Sequence, residues 1–329
     1  MKSPVRIVLI GCGRAAELIY LPVLNKLQDV NVVAVIDPIE ERRKIVSEKF
    51  KDCFSLSNLS PELIDQIDAG IICTPPNTHI TLSSVFLKKN KYILVEKPLA
   101  ESMDGIKNLI DTESFSKASL MMGFNHRYWQ PVIDLKKKLS EKVKIKSMEI
   151  NFTSNYTNWN PVSFVSNPLD DLGPHLFDLV RFIFNKEIIS VSVNSLHVNN
   201  LELIIEVTGN FFINCIIAHS NKTIKTIRVM CESEEFFITL SSERIYPGPG
   251  NKRKLLDLND KIKRKLLKKI SPIKTTYEVQ LNNFINFIKS NKPAEPDIND
   301  GVSAILIVEA VRKSIKNKRK FYIDEIKSC

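Results

Sequence analysis

The chain has 329 residues, of which 43% are hydrophobic and 26% charged, and a formal net charge of +10 at pH 7. This length suffices for two domains with their own cores, and the composition excludes a disordered chain. No apolar run reaches the roughly 18 residues of a membrane span, and the run at residues 7–10 is too short for the core of a signal peptide. The sequence therefore predicts a cytoplasmic protein without a membrane span.

The positive charge suits an anionic partner, such as the pyrophosphate of a dinucleotide or a nucleotide-sugar. Proteins that bind single-stranded nucleic acid interleave aromatic residues with basic ones, and this sequence lacks that pattern, so we predict no nucleic-acid partner. The six cysteines form no CxxC pair and lie at no metal-ligand spacing from a histidine. We therefore expect reduced thiols and no metal site.

Strand and helix patterns alternate through the first 122 residues. Continuous apolar runs, typical of buried parallel strands, occupy residues 5–10, 30–36, 69–73, 92–95 and 119–122. Helical periodicity covers residues 15–27, 40–50, 80–89 and 103–112. The alternation predicts right-handed βαβ crossovers, and hence an α/β fold with a Rossmann-type doubly wound parallel sheet in residues 1–123.

From about residue 124 the pattern changes to long β-rich stretches. They occupy residues 143–154, 187–197, 201–208, 211–219, 223–230 and 235–240. Helical patterns occur at residues 132–139, 171–184, 277–289 and 301–315. Several stretches alternate polar and apolar residues, which indicates antiparallel strands with one exposed face. Residues 124–329 are therefore predicted to form an α+β domain with a large, mostly antiparallel open sheet.

One segment of this second part is unusually basic. Residues 251–270 contain nine Lys or Arg and two Asp, and one approximate helical stripe is formed by Leu255, Leu258, Ile262, Leu266 and Ile270. A helix of this kind could lie on a membrane surface or bind a partner. We favour an ordinary amphipathic helix that packs its apolar stripe on the domain and exposes its basic face.

The first predicted strand leads into a G-x-G-x-x-A turn, Gly11-Cys12-Gly13-Arg14-Ala15-Ala16. Gly11 permits a tight turn, Gly13 lets the backbone approach a pyrophosphate, and Ala16 allows close helix–strand packing. The N-terminus of the following helix offers free N–H groups and a favourable dipole to the phosphates. Because a strand precedes the turn and a helix follows it, the turn predicts a dinucleotide site.

The second predicted strand ends at Asp37. A carboxylate there can accept hydrogen bonds from both ribose hydroxyls of NAD and would repel the 2′-phosphate of NADP. The alternative is an acid at a helix N-terminus before Pro38, and Arg42 and Arg43 just beyond it could soften the preference. The sequence predicts NAD as the cofactor and leaves NADP open.

Four further motifs follow in order, Thr74-Pro75-Pro76-Asn77-Thr78-His79, Glu96-Lys97-Pro98-Leu99-Ala100, Gly123-Phe124-Asn125-His126-Arg127-Tyr128 and Asp171-Leu172-Gly173-Pro174-His175-Leu176-Phe177-Asp178. With the glycine-rich turn, they resemble the glucose–fructose oxidoreductase/inositol dehydrogenase (Gfo/Idh/MocA) family across the first 180 residues. The rest of the chain resembles the family mainly in its many predicted strands and in its last predicted helix. The resemblance implies hydride transfer between NAD(P) and a secondary alcohol or ketone carbon of a sugar, cyclitol or nucleotide-sugar.

The chemistry of three residues agrees with that activity. Oxidation of a secondary alcohol needs a base for the hydroxyl proton and a cation near the developing alkoxide. Lys97 follows a predicted strand, at the sheet edge where ligands bind in open α/β sheets. Asp171 and His175 lie four residues apart, so a helix places both on one face. Taken singly, Lys97 could be a surface lysine, Asp171 a helix cap and His175 a satisfied buried histidine.

The resemblance implies roles for these residues and a cis Lys97–Pro98 bond. His175 is the general base in oxidation and the general acid in reduction, and Lys97 hydrogen-bonds the reacting oxygen. Asp171 orients His175 or holds a neighbouring substrate hydroxyl. From the motifs and the resemblance together, the predicted cofactor-binding residues are Gly11, Cys12, Gly13, Arg14, Ala15, Asp37, Arg42, Thr74, Pro75, Asn77, His79, Glu96, Lys97, Asn125 and Arg127.

The sequence also departs from the family pattern. Residues 166–170, just before Asp171, lack the glycines that relatives commonly have there, and Tyr20 stands where many carry histidine. Two alternatives stay open: a non-catalytic dinucleotide-binding regulator of the same fold, and an NADP-linked reductase of a non-sugar substrate. The resemblance further implies a homodimer or homotetramer, and the positive charge favours an anionic substrate.

Overall fold

The computed structural model describes residues 3–140, 144–155, 167–239, 242–248, 251–266, 272–292 and 294–327. The chain divides into two compact units. The first comprises Met1–Phe124 with Tyr277–Ile305, and the second comprises Asn125–Thr276 with Leu306–Cys329. The division made from the sequence had placed all of residues 124–329 in the second domain.

The sheet of the first unit has six parallel strands, β1 (Val5–Ile10), β2 (Val30–Ile36), β3 (Phe54–Leu56), β4 (Ala69–Ile72), β5 (Tyr92–Val95) and β6 (Leu120–Met122). Their order is β3-β2-β1-β4-β5-β6, which is the order of a doubly wound dinucleotide-binding sheet. The predicted Rossmann sheet is therefore confirmed. The strand order reverses between β1 and β4, and ligands of open α/β sheets bind at the carboxyl ends of such strands.

Five helices connect these strands, α1 (Leu21–Leu24), α2 (Glu40–Ser47), α3 (Pro61–Asp65), α4 (His79–Lys88) and α5 (Ile106–Ser114). A π-helical turn, Ala16–Tyr20, precedes α1, where the sequence predicts one continuous helix over residues 15–27. Residues 277–305 join this unit because Ile298, Ala304 and Ile305 lie in the same buried apolar cluster as Val95. Burial of apolar surface is the main favourable term in folding, so the cluster ties this distant segment to the sheet.

The sheet of the second unit has eight strands, β7 (Ile145–Asn155), β8 (Ile188–His197), β9 (Asn200–Val207), β10 (Phe211–Ser220), β11 (Ile224–Cys231), β12 (Glu235–Thr239), β13 (Tyr246–Pro247) and β14 (Phe321–Tyr322). Their order is β13-β12-β11-β7-β10-β9-β8-β14. Neighbours are antiparallel except β7 and β10, which are parallel. The predicted large, mostly antiparallel sheet is confirmed.

The later helices are α6 (Gln130–Ser140), α7 (Pro168–Phe184), α8 (Asn251–Leu266), α9 (Pro272–Ser290), α10 (Ile298–Asn317) and α11 (Asp324–Lys327). Helix α7 packs on β7 and β10, so its inner side chains face the sheet of the second unit. None of the helices among the described residues has the length and apolar character that crossing a bilayer requires.

Candidate functional site

The glycine-rich turn follows β1, beside the reversal of strand order. Gly11 has a φ of +88°, and a Cβ there would lie 2.7 Å from the main-chain carbon of Cys73. Both the backbone conformation and the close approach therefore require glycine. A Cβ at Gly13 would meet no atom within 4 Å. This side of the turn faces open space, which fits the approach of a pyrophosphate.

Asp37 is buried at the end of β2 and joins the glycine-rich turn to the start of α2. Its Oδ2 accepts a hydrogen bond from the N–H of Cys12 at 2.8 Å, and its Oδ1 accepts one from the N–H of Ile39 at 2.9 Å. Each carboxylate oxygen has a second lone-pair site, so these bonds leave Asp37 able to accept ribose hydroxyls. Its role at a helix start and its predicted role toward NAD are therefore compatible. Arg42 is exposed on α2.

The segment after β5 carries Glu96 and Lys97, and the peptide bond from Lys97 to Pro98 is cis, as the resemblance implied. The Glu96 carboxylate accepts hydrogen bonds from the phenol of Tyr20 at 2.7 Å and from the N–H of Lys97 at 3.1 Å. Burial raises the pKa of Glu96, while the bond from Tyr20 and the charge of Lys97 oppose that rise. The carboxylate thus holds the backbone from which Lys97 projects.

Tyr20 is fully buried at the end of the π-helical turn. Burial and the neighbouring Glu96 raise its pKa well above the ordinary value, so the phenol is a neutral donor. Gly123 also lies close to Glu96, because a Cβ at residue 123 would be only 3.1 Å from the Glu96 Cα. The sequence had singled out Tyr20 only as a departure from the family. In the structure, Tyr20 fixes the carboxylate next to Lys97.

His79 is fully buried at the first position of α4. Its Nδ1 lies 2.8 Å from the carbonyl oxygen of Pro98, and its Nε2 lies 2.9 Å from that of Thr74. The ring therefore lies between the loop after β4 and the loop after β5. A neutral imidazole donates from only one nitrogen, so it hydrogen-bonds one of these two carbonyls, and only the imidazolium would donate to both. The predicted contact with the cofactor stays a prediction, whereas the position of the ring between the two loops follows from these distances.

We expect His79 to make the protein less stable in mild acid. Burial lowers its pKa below the usual 6.5, although the two carbonyls oppose this shift. As the pH falls from about 6.5 toward the lowered pKa, the unfolded chain binds a proton that the folded chain does not bind. The free energy of unfolding therefore falls in that window by up to about 1.4 kcal/mol per pH unit.

Urea unfolding at about pH 7.5 and about pH 5.5 measures this effect. In His79→Gln, the difference in unfolding free energy between the two pH values should be smaller than in the wild type. The matched control is His197→Gln, because His197 is exposed at the end of β8. Equal pH dependence in wild type and His79→Gln would contradict the assignment.

In the second unit, α7 presents Asp171, His175 and Asp178 at helical spacing. The helix begins at Pro168, three residues before the predicted start, because the side chain of Asn167 caps it by accepting from the N–H of Asp170 at 3.0 Å. Pro174 therefore lies inside the helix, whereas a helix that began at residue 171 would have had it in the first turn. Asn167 is a typical N-cap residue, since its side-chain oxygen satisfies a free N–H at the helix start.

Asp178 forms an ion pair with Arg127, whose Nε donates to the carboxylate at 2.9 Å. Both side chains are largely buried, and breaking such a pair leaves an uncompensated charge. Arg127 was predicted to contact the cofactor. The structure places its guanidinium on Asp178, which fixes the residues after β6 to the middle of α7.

Asp171 lies next to a histidine that the sequence did not single out. The Nε2 of His219, on β10, lies 3.3 Å from the Oδ2 of Asp171, and the His219 side chain is 7% exposed. The two-residue period of β10 puts His219 on the same face as the buried Cys215 and Ile217. A histidine at the end of this apolar face was the sequence feature that could have identified His219 as a candidate site residue.

A second unpredicted histidine, His126, packs against His175 with ring centroids 4.4 Å apart and the ring planes tilted by 51°. The Nζ of Lys225 lies 2.6 Å from its Nε2, and the Oδ1 of Asn125 lies 3.0 Å from its Nδ1. Because an ammonium group only donates, Nε2 accepts and Nδ1–H donates to Asn125. Asn125 in turn donates to Thr276 at 2.8 Å. These hydrogen bonds set the tautomer of His126 and fix the position of the ring that packs against His175.

The second unit thus gathers a carboxylate, three imidazoles and an ammonium group: Asp171, His126, His175, His219 and Lys225. Such a cluster can accept and return a proton and can hydrogen-bond a polyhydroxylated or anionic molecule. The first unit, described by itself, contains the glycine-rich turn, Asp37 and the loop with Lys97. The interactions described above do not include five of the predicted cofactor-binding residues, namely the half-buried Ala15 and the exposed Arg14, Arg42, Pro75 and Asn77.

Comparison with known proteins adds independent information. Residues 5–124 match the family model described as oxidoreductase family, NAD-binding Rossmann fold (GFO_IDH_MocA). The inositol 2-dehydrogenase of Rhizobium meliloti (strain 1021) is 24% identical over an alignment of 341 positions, gaps included, which covers 97% of this chain and 99% of that protein. The glucose-6-phosphate 3-dehydrogenase of Bacillus subtilis (strain 168) is 29% identical over 204 residues, 58% of this chain and 57% of that protein.

Among solved structures, the chain is similar to the myo-inositol dehydrogenase from Lactobacillus casei in complex with NAD(H) and myo-inositol. The TM-score is 0.77 at 19% identity, over 97% of this chain and 96% of that one. At this identity the likeness concerns the fold.

Proposed function

We propose that this chain, whose residues 5–124 match the NAD-binding Rossmann model of the Gfo/Idh/MocA oxidoreductases, transfers a hydride between NAD and a secondary alcohol or ketone carbon of a sugar, cyclitol or nucleotide-sugar. The observation that supports this most is the cluster around His175. Alcohol oxidation needs a positioned proton acceptor besides the cofactor. His175 on α7 can serve as that acceptor, with the Asp171 carboxylate one turn away and the His126 ring packed against its own.

Each of the three proposed catalytic residues has a separate task in the oxidation direction. His175 accepts the hydroxyl proton of the substrate and returns it in reduction. Lys97 donates a hydrogen bond to the reacting oxygen, where negative charge develops. Asp171, hydrogen-bonded to His219, accepts a bond from a neighbouring substrate hydroxyl. Bound NAD supplies the hydride acceptor, so that one proton and one hydride leave the alcohol and a ketone forms.

We propose an anionic substrate, such as a sugar phosphate or a nucleotide-sugar. Lys225 brings an ammonium group to the cluster around His175, and the whole chain carries a net charge of +10. Positive charge raises the local concentration of an anionic substrate and its association rate. The likeness to a glucose-6-phosphate 3-dehydrogenase supports the same substrate class.

The test is a spectrophotometric screen of the purified protein for NADH formation. The panel contains inositols, hexoses, hexose phosphates and nucleotide-sugars, each with NAD and with NADP. We expect turnover of an anionic sugar, with a preference for NAD. Preference for NADP would contradict only the role of Asp37, whereas cofactor binding without turnover of any panel member would favour the regulatory alternative. Absence of cofactor binding would overturn the proposal.

A further inference from the structure

Helix α8 presents its apolar stripe to solvent. Leu255, Leu258, Ile262 and Leu266 are 61%, 53%, 48% and 77% exposed. The favoured interpretation from the sequence, a stripe packed on the domain with an outward basic face, is wrong for these four residues. The fifth member of the predicted stripe, Ile270, lies outside the described residues.

The opposite side of α8 holds the helix on the second unit. Asp260 is buried there, pairs with Arg244 at 2.7 Å and accepts a hydrogen bond from the phenol of Tyr246 at 2.8 Å. The guanidinium of Arg253 lies 4.2 Å from the ring centroid of Phe237. Rotating the helix to bury its leucines would leave the Asp260 carboxylate without these partners, which is costly for a buried charge. The polar contacts therefore determine which side faces outward.

The exposed stripe has one lysine beyond one of its borders and three lysines beyond the other. At about 100° per residue, the four apolar side chains fall within a sector of about 80°. Lys263 lies beyond one border of that sector, and the exposed residues beyond the other border are Lys254, Lys261 and Lys265. Helix α8 contains seven Lys or Arg and two Asp, a net charge of +5. An apolar stripe flanked by lysines is typical of helices that lie in the plane of an anionic membrane.

We propose that this surface of α8, formed by the four apolar residues and the four lysines, docks the protein on an anionic lipid bilayer. The leucines and Ile262 enter the boundary between headgroups and acyl chains, and the lysines contact the lipid phosphates. A second copy of the chain is a poorer occupant, because it would bring two surfaces of the same charge together. A nucleic acid would pair with the lysines and leave the leucines in water.

The experiment is co-sedimentation of the full chain with vesicles at low salt. One set contains phosphatidylcholine with about one third phosphatidylglycerol, and the other contains phosphatidylcholine alone. We expect binding to the anionic vesicles only, and progressive release as salt is added, because salt screens the lysines. The double variant Leu258→Ser, Ile262→Ser should bind at least about tenfold more weakly. Lys263→Gln and Lys265→Gln should each weaken binding about fivefold.

The matched control is Val198→Ser, because Val198 is 94% exposed outside α8. It should leave vesicle binding unchanged, and all variants should retain the melting temperature and NADH formation of the wild type. Failure to bind anionic vesicles would overturn the proposal. Binding that the double variant leaves unchanged would also overturn it, since charge alone would then account for the effect. Self-association without lipid that the double variant abolishes would assign this surface to a second copy.

Discussion

His175→Ala should lower kcat by about 10²–10⁴-fold, the usual contribution of a positioned general base. This corresponds to about 2.7–5.4 kcal/mol of transition-state stabilisation. Without the imidazole, the hydroxyl proton must pass to water while the hydride leaves. The rate of NADH formation at saturating NAD and substrate measures the loss, and added imidazole should restore part of it because the variant leaves space beside His126.

A matched variant makes this prediction specific. His197→Ala removes an exposed histidine from the same unit and should retain wild-type activity. A loss smaller than about threefold in His175→Ala would exclude a general-base role.

Lys97→Met should lower kcat by about 10²–10³-fold, the effect of removing one donor to a developing negative charge. Methionine retains the length of the side chain but cannot donate a hydrogen bond to the reacting oxygen. NAD affinity, measured by calorimetry, should fall far less than kcat, because the glycine-rich turn and Asp37 are untouched. The control is Lys88→Met, which removes an exposed lysine from the end of α4. Full activity of Lys97→Met would remove Lys97 from the proposed mechanism.

The double variant Lys97→Met, His175→Ala tests whether the two residues serve one step. Groups that act as a unit show strongly non-additive losses. We therefore expect the double variant to lose little more activity than the more damaged single variant. Losses that multiply would show that Lys97 and His175 act independently.

Local patterns in the chain predicted much of the first unit. The boundaries of β1, β2 and β5 agree with their apolar runs residue by residue, because a strand buried on both faces needs a continuous run. By contrast, β3 has three residues and its Phe54 is exposed, so it contains no such run and was missed. The π-helical turn before α1 was also missed, since a π-helical turn has no hydrophobic period that separates it from an α-helix.

The sequence by itself determined the dinucleotide turn, the position of Lys97 after a strand and the shared helix face of Asp171 and His175. These features depend on neighbours within a few residues, and the backbone periods of helices and strands make such spacings readable. The side chains that contact these site residues come from positions far away along the sequence. His219 reaches Asp171 from 48 positions away and Lys225 reaches His126 from 99, so strand register and helix packing had to be known before either contact was visible.

The same reason explains the error on α8. Its sequence shows an apolar and a basic side but does not say which one faces outward. The tertiary structure decided this through Asp260, whose partners Arg244 and Tyr246 lie in the segment around β13. A buried carboxylate must keep its ion pair and hydrogen bonds, and this requirement outweighed the burial of the four apolar side chains, which stay exposed.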